Sequence, residues 1–156
     1  MTDEYEFYHG SVLWSVIVNS GKTITIATDD AMGRIDSFCI DGRTAIHIKH
    51  SIKRMSPWQF TFSKDNVEEL IQLDAKHKYL FICLVCGDDG VVTLTPDEFL
   101  EVAGPAMSES FWIRVSRPKN KMYEIAGSNG VLGYKKSRGT GEITAAINSS
   151  AEQMSV

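Results

Sequence analysis

Residues 36–49 read Asp-Ser-Phe-Cys-Ile-Asp-Gly-Arg-Thr-Ala-Ile-His-Ile-Lys (DSFCIDGRTAIHIK). Asp41-Gly42 between two apolar runs is a strong hairpin signal, because a tight turn needs residues that accept a positive φ. Residues 35–40 and 44–50 are therefore expected to form two antiparallel strands. Side chains alternate along a strand, so Ile46 and Ile48 take one face and His47 and Lys49 the other. Regular pairing carries Asp36 to the Lys49 end of the hairpin and leaves Asp41 in the turn at the far end.

Working outward, residues 10–21 (GSVLWSVIVNSG) precede the hairpin. Their β-branched content suits a strand, but apolar positions 12, 13, 16 and 17 have helical spacing and Asn19 to Gly21 reads as a helix end, which favours helix. Lys22 to Thr28 alternates as a strand. After the hairpin, Trp58, Phe60 and Phe62 share one face of a further strand. Such an aromatic stripe stacks bases in some proteins, but at this period beside a helix it reads first as a packed sheet face. Ser63 caps a helix to about Lys76 with a stripe of Val67, Leu70, Ile71 and Leu73.

The continuous apolar run Tyr79 to Cys86 (YLFICLVC) is what a central strand buried on both faces requires. Residues 91–95 follow as a strand, Thr95-Pro96-Asp-Glu opens a short helix, and residues 110–116 and 122–126 add two strands. Residues 137–156, rich in Ser, Gly and Ala, read as a flexible tail, which leaves residues 1–136 as a single domain. The expected fold class is α/β (α+β), a mixed central sheet flanked by helices.

The chain has 156 residues, enough to bury a core without disulfides or metal, and its 43% hydrophobic and 23% charged content is that of a globular protein. The apolar run at 79–86 is too short to span a bilayer, and the acidic start MTDEYEFYHG is the reverse of a secretory signal. A cytoplasmic protein with no membrane partner is expected. Cys83 and Cys86 have CxxC spacing, but in a strand they point to opposite faces, so Cys39, Cys83 and Cys86 read as buried thiols.

The net charge is −4, yet it is uneven. Residues 43–54 carry Arg43, Lys49, Lys53 and Arg54 with no acid, and residues 112–138 carry seven bases against Glu124 alone. Lys53, Arg54, Arg114, Arg117, Lys119 and Lys121 are the candidate phosphate contacts in these blocks. No Gly-x-Ser-x-Gly elbow is present, and the glycine-rich stretches at 127–130 and 137–141 lack a Walker ending.

The element order, the aspartates and the Ile-His-Ile-Lys strand together resemble the PD-(D/E)XK nuclease superfamily, the restriction-endonuclease-like fold. Its core is helix, three-stranded meander, helix, strand, and here the likeness covers residues 10–86, with extra strands after it. In that family an aspartate near the start of the second core strand meets a (Glu/Gln)-x-Lys on the third. The resemblance puts Asp36, His47 and Lys49 in these places, as catalytic residues, with Asp36 and His47 as metal ligands. It implies Mg²⁺ or Mn²⁺ as cofactor, DNA or RNA as partner, and a setting in prokaryotic defence or DNA processing.

This sequence departs from the pattern at His47, where the family has Glu or Gln, and imidazole suits Mn²⁺ or Zn²⁺ better than Mg²⁺. Three readings stay open: a solvated strand face, a nucleic-acid-binding relative with an altered site, and a metal-dependent nuclease. A fourth, from another class, is a protein–protein interaction module, with homodimerisation through an exposed sheet edge or the basic strand 112–122.

Overall fold

The computed structural model describes residues 4–29, 35–104, 111–118 and 121–154. Helix α1 (Glu4–Ser20) leads into β1 (Ile26–Thr28), β2 (Ser37–Ile40) and β3 (Thr44–Ser51). Then follow β4 (Trp58–Phe62), α2 (Lys64–Lys76), β5 (Tyr79–Cys86), β6 (Gly90–Leu94) and α3 (Pro96–Ala103). The chain continues through β7 (Phe111–Ser116), β8 (Glu124–Gly127), β9 (Gly130–Val131) and α4 (Gly141–Met154). This is a mixed α+β fold.

The hairpin forms as its turn chemistry requires. Asp41 (φ 53°) and Gly42 (φ 69°) both take the left-handed conformation, and Asp41 Oδ1 accepts the Thr25 N–H at 2.8 Å. The main sheet has the order β1-β2-β3-β5-β6. Its pairs are antiparallel except β3 with β5, which run parallel from Thr44↔Tyr79 to Ser51↔Cys86.

Strand β5 is buried on both faces, which explains its unbroken apolar run. Phe81, Cys83 and Val85 join Val12, Val16, Ile46, Ile48, Ile143 and Ile147 in a core under α1 and α4. Leu80, Ile82, Leu84 and Cys86 face the opposite way, into a second core with α2, α3 and β4. The two cysteines of the CxxC spacing therefore sit in different cores.

Two expectations are corrected. The aromatic strand β4 belongs to a separate antiparallel sheet, β4-β7-β8-β9, in which Phe60 pairs with Ile113 and Trp58 with Val115. Trp58, Phe60 and Phe62 are buried there, in agreement with the packed sheet face that their period indicated. The expected flexible tail is, over residues 141–154, helix α4. Ile143 and Ile147 lie one turn apart and are 0% and 2% exposed, and Thr140 at its start shares a 2.8 Å hydrogen bond with Ser15. Two isoleucines among small residues are enough to dock a helix against a ready-made apolar face.

The caps follow the sequence. Ser63 and Asn66 close a capping box on α2, and Thr95 and Glu98 close one on α3, with Pro96 in its first turn. Among the described residues, no helix is long and apolar enough to cross a membrane.

Candidate functional site

The hairpin register decides which side chains can meet. Ser37 lies opposite His47, and the Asp36 carbonyl accepts the Ile48 N–H at 2.9 Å. Asp36 therefore stands at the end of the sheet remote from the Asp41 turn, beside Lys49. His47 and Lys49 share the face turned toward α2, as alternation requires. That face is not solvated around His47, which is 0% exposed.

His47 is taken up by an internal network. Its Nδ1 lies 2.9 Å from Glu69 Oε2 on α2 and 2.9 Å from Ser37 Oγ, and the Ser37 hydroxyl donates to Glu69 Oε2 at 2.5 Å. A carboxylate only accepts, so the Nδ1–H of His47 and the O–H of Ser37 converge on Glu69. Nε2 of His47 is buried without a hydrogen-bond partner. Both polar neighbours use the same ring nitrogen and the other faces the interior, so this is a tie between β2, β3 and α2 and not a triad open to substrate.

The sequence reading missed Glu69 because it treated the helix stripe as wholly apolar. Ile71, assigned to that stripe, is 49% exposed, while Asn66 and Glu69 are buried beside Leu70 and Leu73. The available signal was spacing: Glu69 falls three residues after Asn66 and four before Leu73, within the inward period.

Lys49 spans the cleft floor. Its Nζ donates to the Thr61 carbonyl at 2.5 Å and to Asn66 Oδ1 at 2.8 Å, and lies 4.6 Å from the Phe62 ring centroid. A cleft of about 90 Å³ is lined by Tyr5, Asp36, Ile48, Lys49, His50 and Asn66, so Asp36 and Lys49 do share one opening.

Helix α1 starts at Glu4, earlier than its apolar spacing suggested, and this brings further groups to the same corner. A cavity of about 620 Å³ is bordered by Tyr5, Glu6, His9, Leu13 and Asp36. His9 Nε2 sits 4.0 Å from Asp36 Oδ1 and has no hydrogen-bond partner. Burial, which favours the neutral ring, holds the His9 imidazole below its ordinary pKa against the opposing pull of Asp36.

The basic residues separate into two groups. Arg117 is an internal tie: its Nε donates to Asp89 Oδ2 at 2.7 Å and its Nη2 to Oδ1, while the Tyr123 hydroxyl donates to Oδ2 at 2.6 Å. The Arg117 hydrogen bonds hold the Asp89 carboxyl below its usual range, against burial. Arg114 is exposed and stacks on Trp112 at 5.1 Å, and Lys121 is exposed. Lys53 and Arg54 are exposed in the loop that leaves β3 just beyond the Lys49 end, with Lys53 Nζ on the Pro57 carbonyl at 2.9 Å. Lys119 lies outside the described residues.

Asp36 and His47 are not brought together as a ligand pair, since His47 is committed to Glu69. Among the described residues, no three His, Cys, Asp or Glu side chains gather as a metal-holding group. No protein-family model, curated protein or solved structure matches the chain.

Proposed function

We propose that the protein is a divergent nuclease-like domain that binds nucleic acid at the corner formed by α1, β2 and β3, as a binding module and not as a cleaving enzyme. The observation that carries this reading is the cleft shared by Asp36 and Lys49, with exposed Lys53 and Arg54 in the loop leaving the same strand. The element order supports it too: α1, the β1-β2-β3 meander, α2, then β5 parallel to β3. The donor set does not fit a resident Mg²⁺ or Mn²⁺, because the position that would supply a second ligand is His47, bound inward to Glu69. No chemical step is therefore derived through a cation.

In this reading Lys53, Arg54 and, from the second sheet, Arg114 and Lys121 meet phosphates, and Lys49 fixes the register of the strand at the cleft. Fluorescence anisotropy with labelled single- and double-stranded DNA and RNA tests it. Binding is expected at low salt and to weaken steeply with ionic strength. Replacing Lys53 and Arg54 together by alanine is expected to lower the log–log salt slope by about 1.8 on duplex DNA. Absence of binding at low salt, or a slope that the double variant leaves unchanged, refutes the reading. In a calorimetric Mn²⁺ titration, heat that vanishes in Asp36→Ala would assign a cation to Asp36 and reopen cleavage.

A second reading has its own observation. The outer face of α1 exposes Phe7, Trp14, Ile17 and Val18 at 58%, 67%, 51% and 55%. Apolar groups on one helix face favour association with a second copy of the chain. Sedimentation across a concentration series is then expected to show a dimer that Trp14→Glu reduces to monomer. A wild-type chain that stays monomeric throughout would dispose of this alternative.

A further inference from the structure

We propose that Cys39 is a nucleophile for carbon electrophiles, passing its proton to His77 as the sulfur attacks, with Asp29 holding the resulting imidazolium. The three residues come from separate places in the chain: the middle of β2, the C-cap of α2 and the segment just after β1. Cys39 Sγ lies 3.5 Å from His77 Nδ1, and His77 Nε2 lies 2.8 Å from Asp29 Oδ2. Asp29 is itself anchored, its N–H donating to the Ser37 carbonyl at 2.9 Å.

The hydrogen bonds fix the tautomer. Burial acts to raise the pKa of Asp29, but hydrogen bonds from His77 and Lys76 outweigh it and hold the carboxyl below its usual range. An ionised carboxylate only accepts, so Nε2 carries the ring proton and Nδ1 presents its lone pair to the thiol. This is the arrangement a general base needs, with the third group orienting the second.

Burial and the Asp29 charge push the Cys39 thiol up, so it rests as S–H, and the proton leaves during attack. The Gly42 backbone and the Lys76 cation both act to lower the Cys39 pKa and so favour the charge that develops on the sulfur. In the step, the S–C bond forms and the bond from carbon to its leaving group breaks. The leaving group departs with the bonding pair, and the thiol proton moves to His77 Nδ1.

Cys39 is buried, but at 9% exposure it lies nearer the surface than the other two cysteines. Strand β1 is the edge of the sheet, and its residue opposite Cys39 is the exposed Ala27. On the other side stands Ala45, so both cross-strand neighbours of Cys39 are small. Cys83 and Cys86 are 0% exposed, and burial pushes the Cys83 thiol up to about 12.

The test is iodoacetamide labelling of the full chain at about neutral pH, with the rate at each cysteine read by peptide mass mapping. Cys39 is expected to react first, and His77→Ala to slow it by about tenfold or more. The sign is diagnostic. Removing the ring uncovers the sulfur, so a thiol that was merely exposed would react faster in the variant, and an unchanged or faster rate overturns the proposal. Asp29→Asn guards against a fold defect in the first variant: it keeps an acceptor for Nε2 and removes the charge. Severalfold slowing with an unchanged circular dichroism spectrum is expected, and a wild-type rate there would also overturn the proposal.

Discussion

Glu98→Ala is expected to destabilise the protein by about 3–5 kcal/mol in urea unfolding, the cost of leaving a buried cation without its partner. Glu98 accepts the Lys136 ammonium through both oxygens, at 2.8 and 2.9 Å, and the Tyr134 hydroxyl at 2.6 Å. It also accepts the Thr95 N–H at 2.9 Å in the capping box of α3. Lys136 is 7% exposed, and once Glu98 is gone its remaining carboxylate is Glu142, whose side chain is 42% exposed. The backbones of Tyr123 and Lys136 also pair, with N–H to carbonyl hydrogen bonds of 2.9 and 2.8 Å, so one substitution loosens α3, this bridge and the start of α4. Glu98→Gln keeps the cap and the tyrosine bond but loses the charge, and is expected to cost about half as much.

The pH dependence follows with a definite sign. Burial acts to raise the Glu98 pKa, but the hydrogen bonds from Lys136, Tyr134 and the Thr95 backbone outweigh it, so the folded value is depressed. Its stabilisation is therefore complete above the unfolded value of about 4.3 and is lost as pH falls through the lower folded value. Asp29 and Asp89 are depressed as well and act in the same direction. The acid limb of wild-type stability should be steep, and Glu98→Gln should flatten it in part. An equally steep limb in the variant would show that Glu98 does not carry this linkage.

Glu69→Ala is expected to cost about 2–4 kcal/mol, since it orphans two buried donors, the Ser37 hydroxyl and the His47 Nδ1–H, and opens a cavity. The network is structural, so replacing it whole should be far milder than breaking it. The triple variant Ser37→Ala, His47→Leu, Glu69→Leu is expected to return to within about 1 kcal/mol of wild type, as well-packed apolar groups substitute for buried ion pairs elsewhere. It should also keep any oligonucleotide binding. Loss of binding in a stable triple variant would mean that His47 or Glu69 acts at the site after all.

The elements that were legible in the sequence are those whose cause is local. Asp41-Gly42 dictates the hairpin because few other residue pairs accept its backbone. Ser63 and Thr95 mark helix starts because their side chains close the first turn. Strand alternation correctly put His47 and Lys49 on one face, and Asp36 at their end of the hairpin.

What alternation does not contain is the identity of whatever covers that face. Glu69 lies 22 residues after His47, His77 lies 38 after Cys39, and Asp89 lies 28 before Arg117. Each pairing exists because a crossover or a second sheet returns a distant segment to the same place. The Trp58 stripe shows the same limit: its period was readable, but its membership of the second sheet was not.

By itself, then, the sequence determined the hairpin, the doubly buried strand β5, the helix caps and the shared face of His47 and Lys49, since backbone sterics and side-chain alternation act within a few residues. Only the tertiary structure decided that His47 is internal, that Arg117 is spent on Asp89, that α4 is docked and that Cys39 lies beside His77. Burial and ion pairing are set by which surfaces meet, and in this chain the surfaces that meet are often more than twenty residues apart.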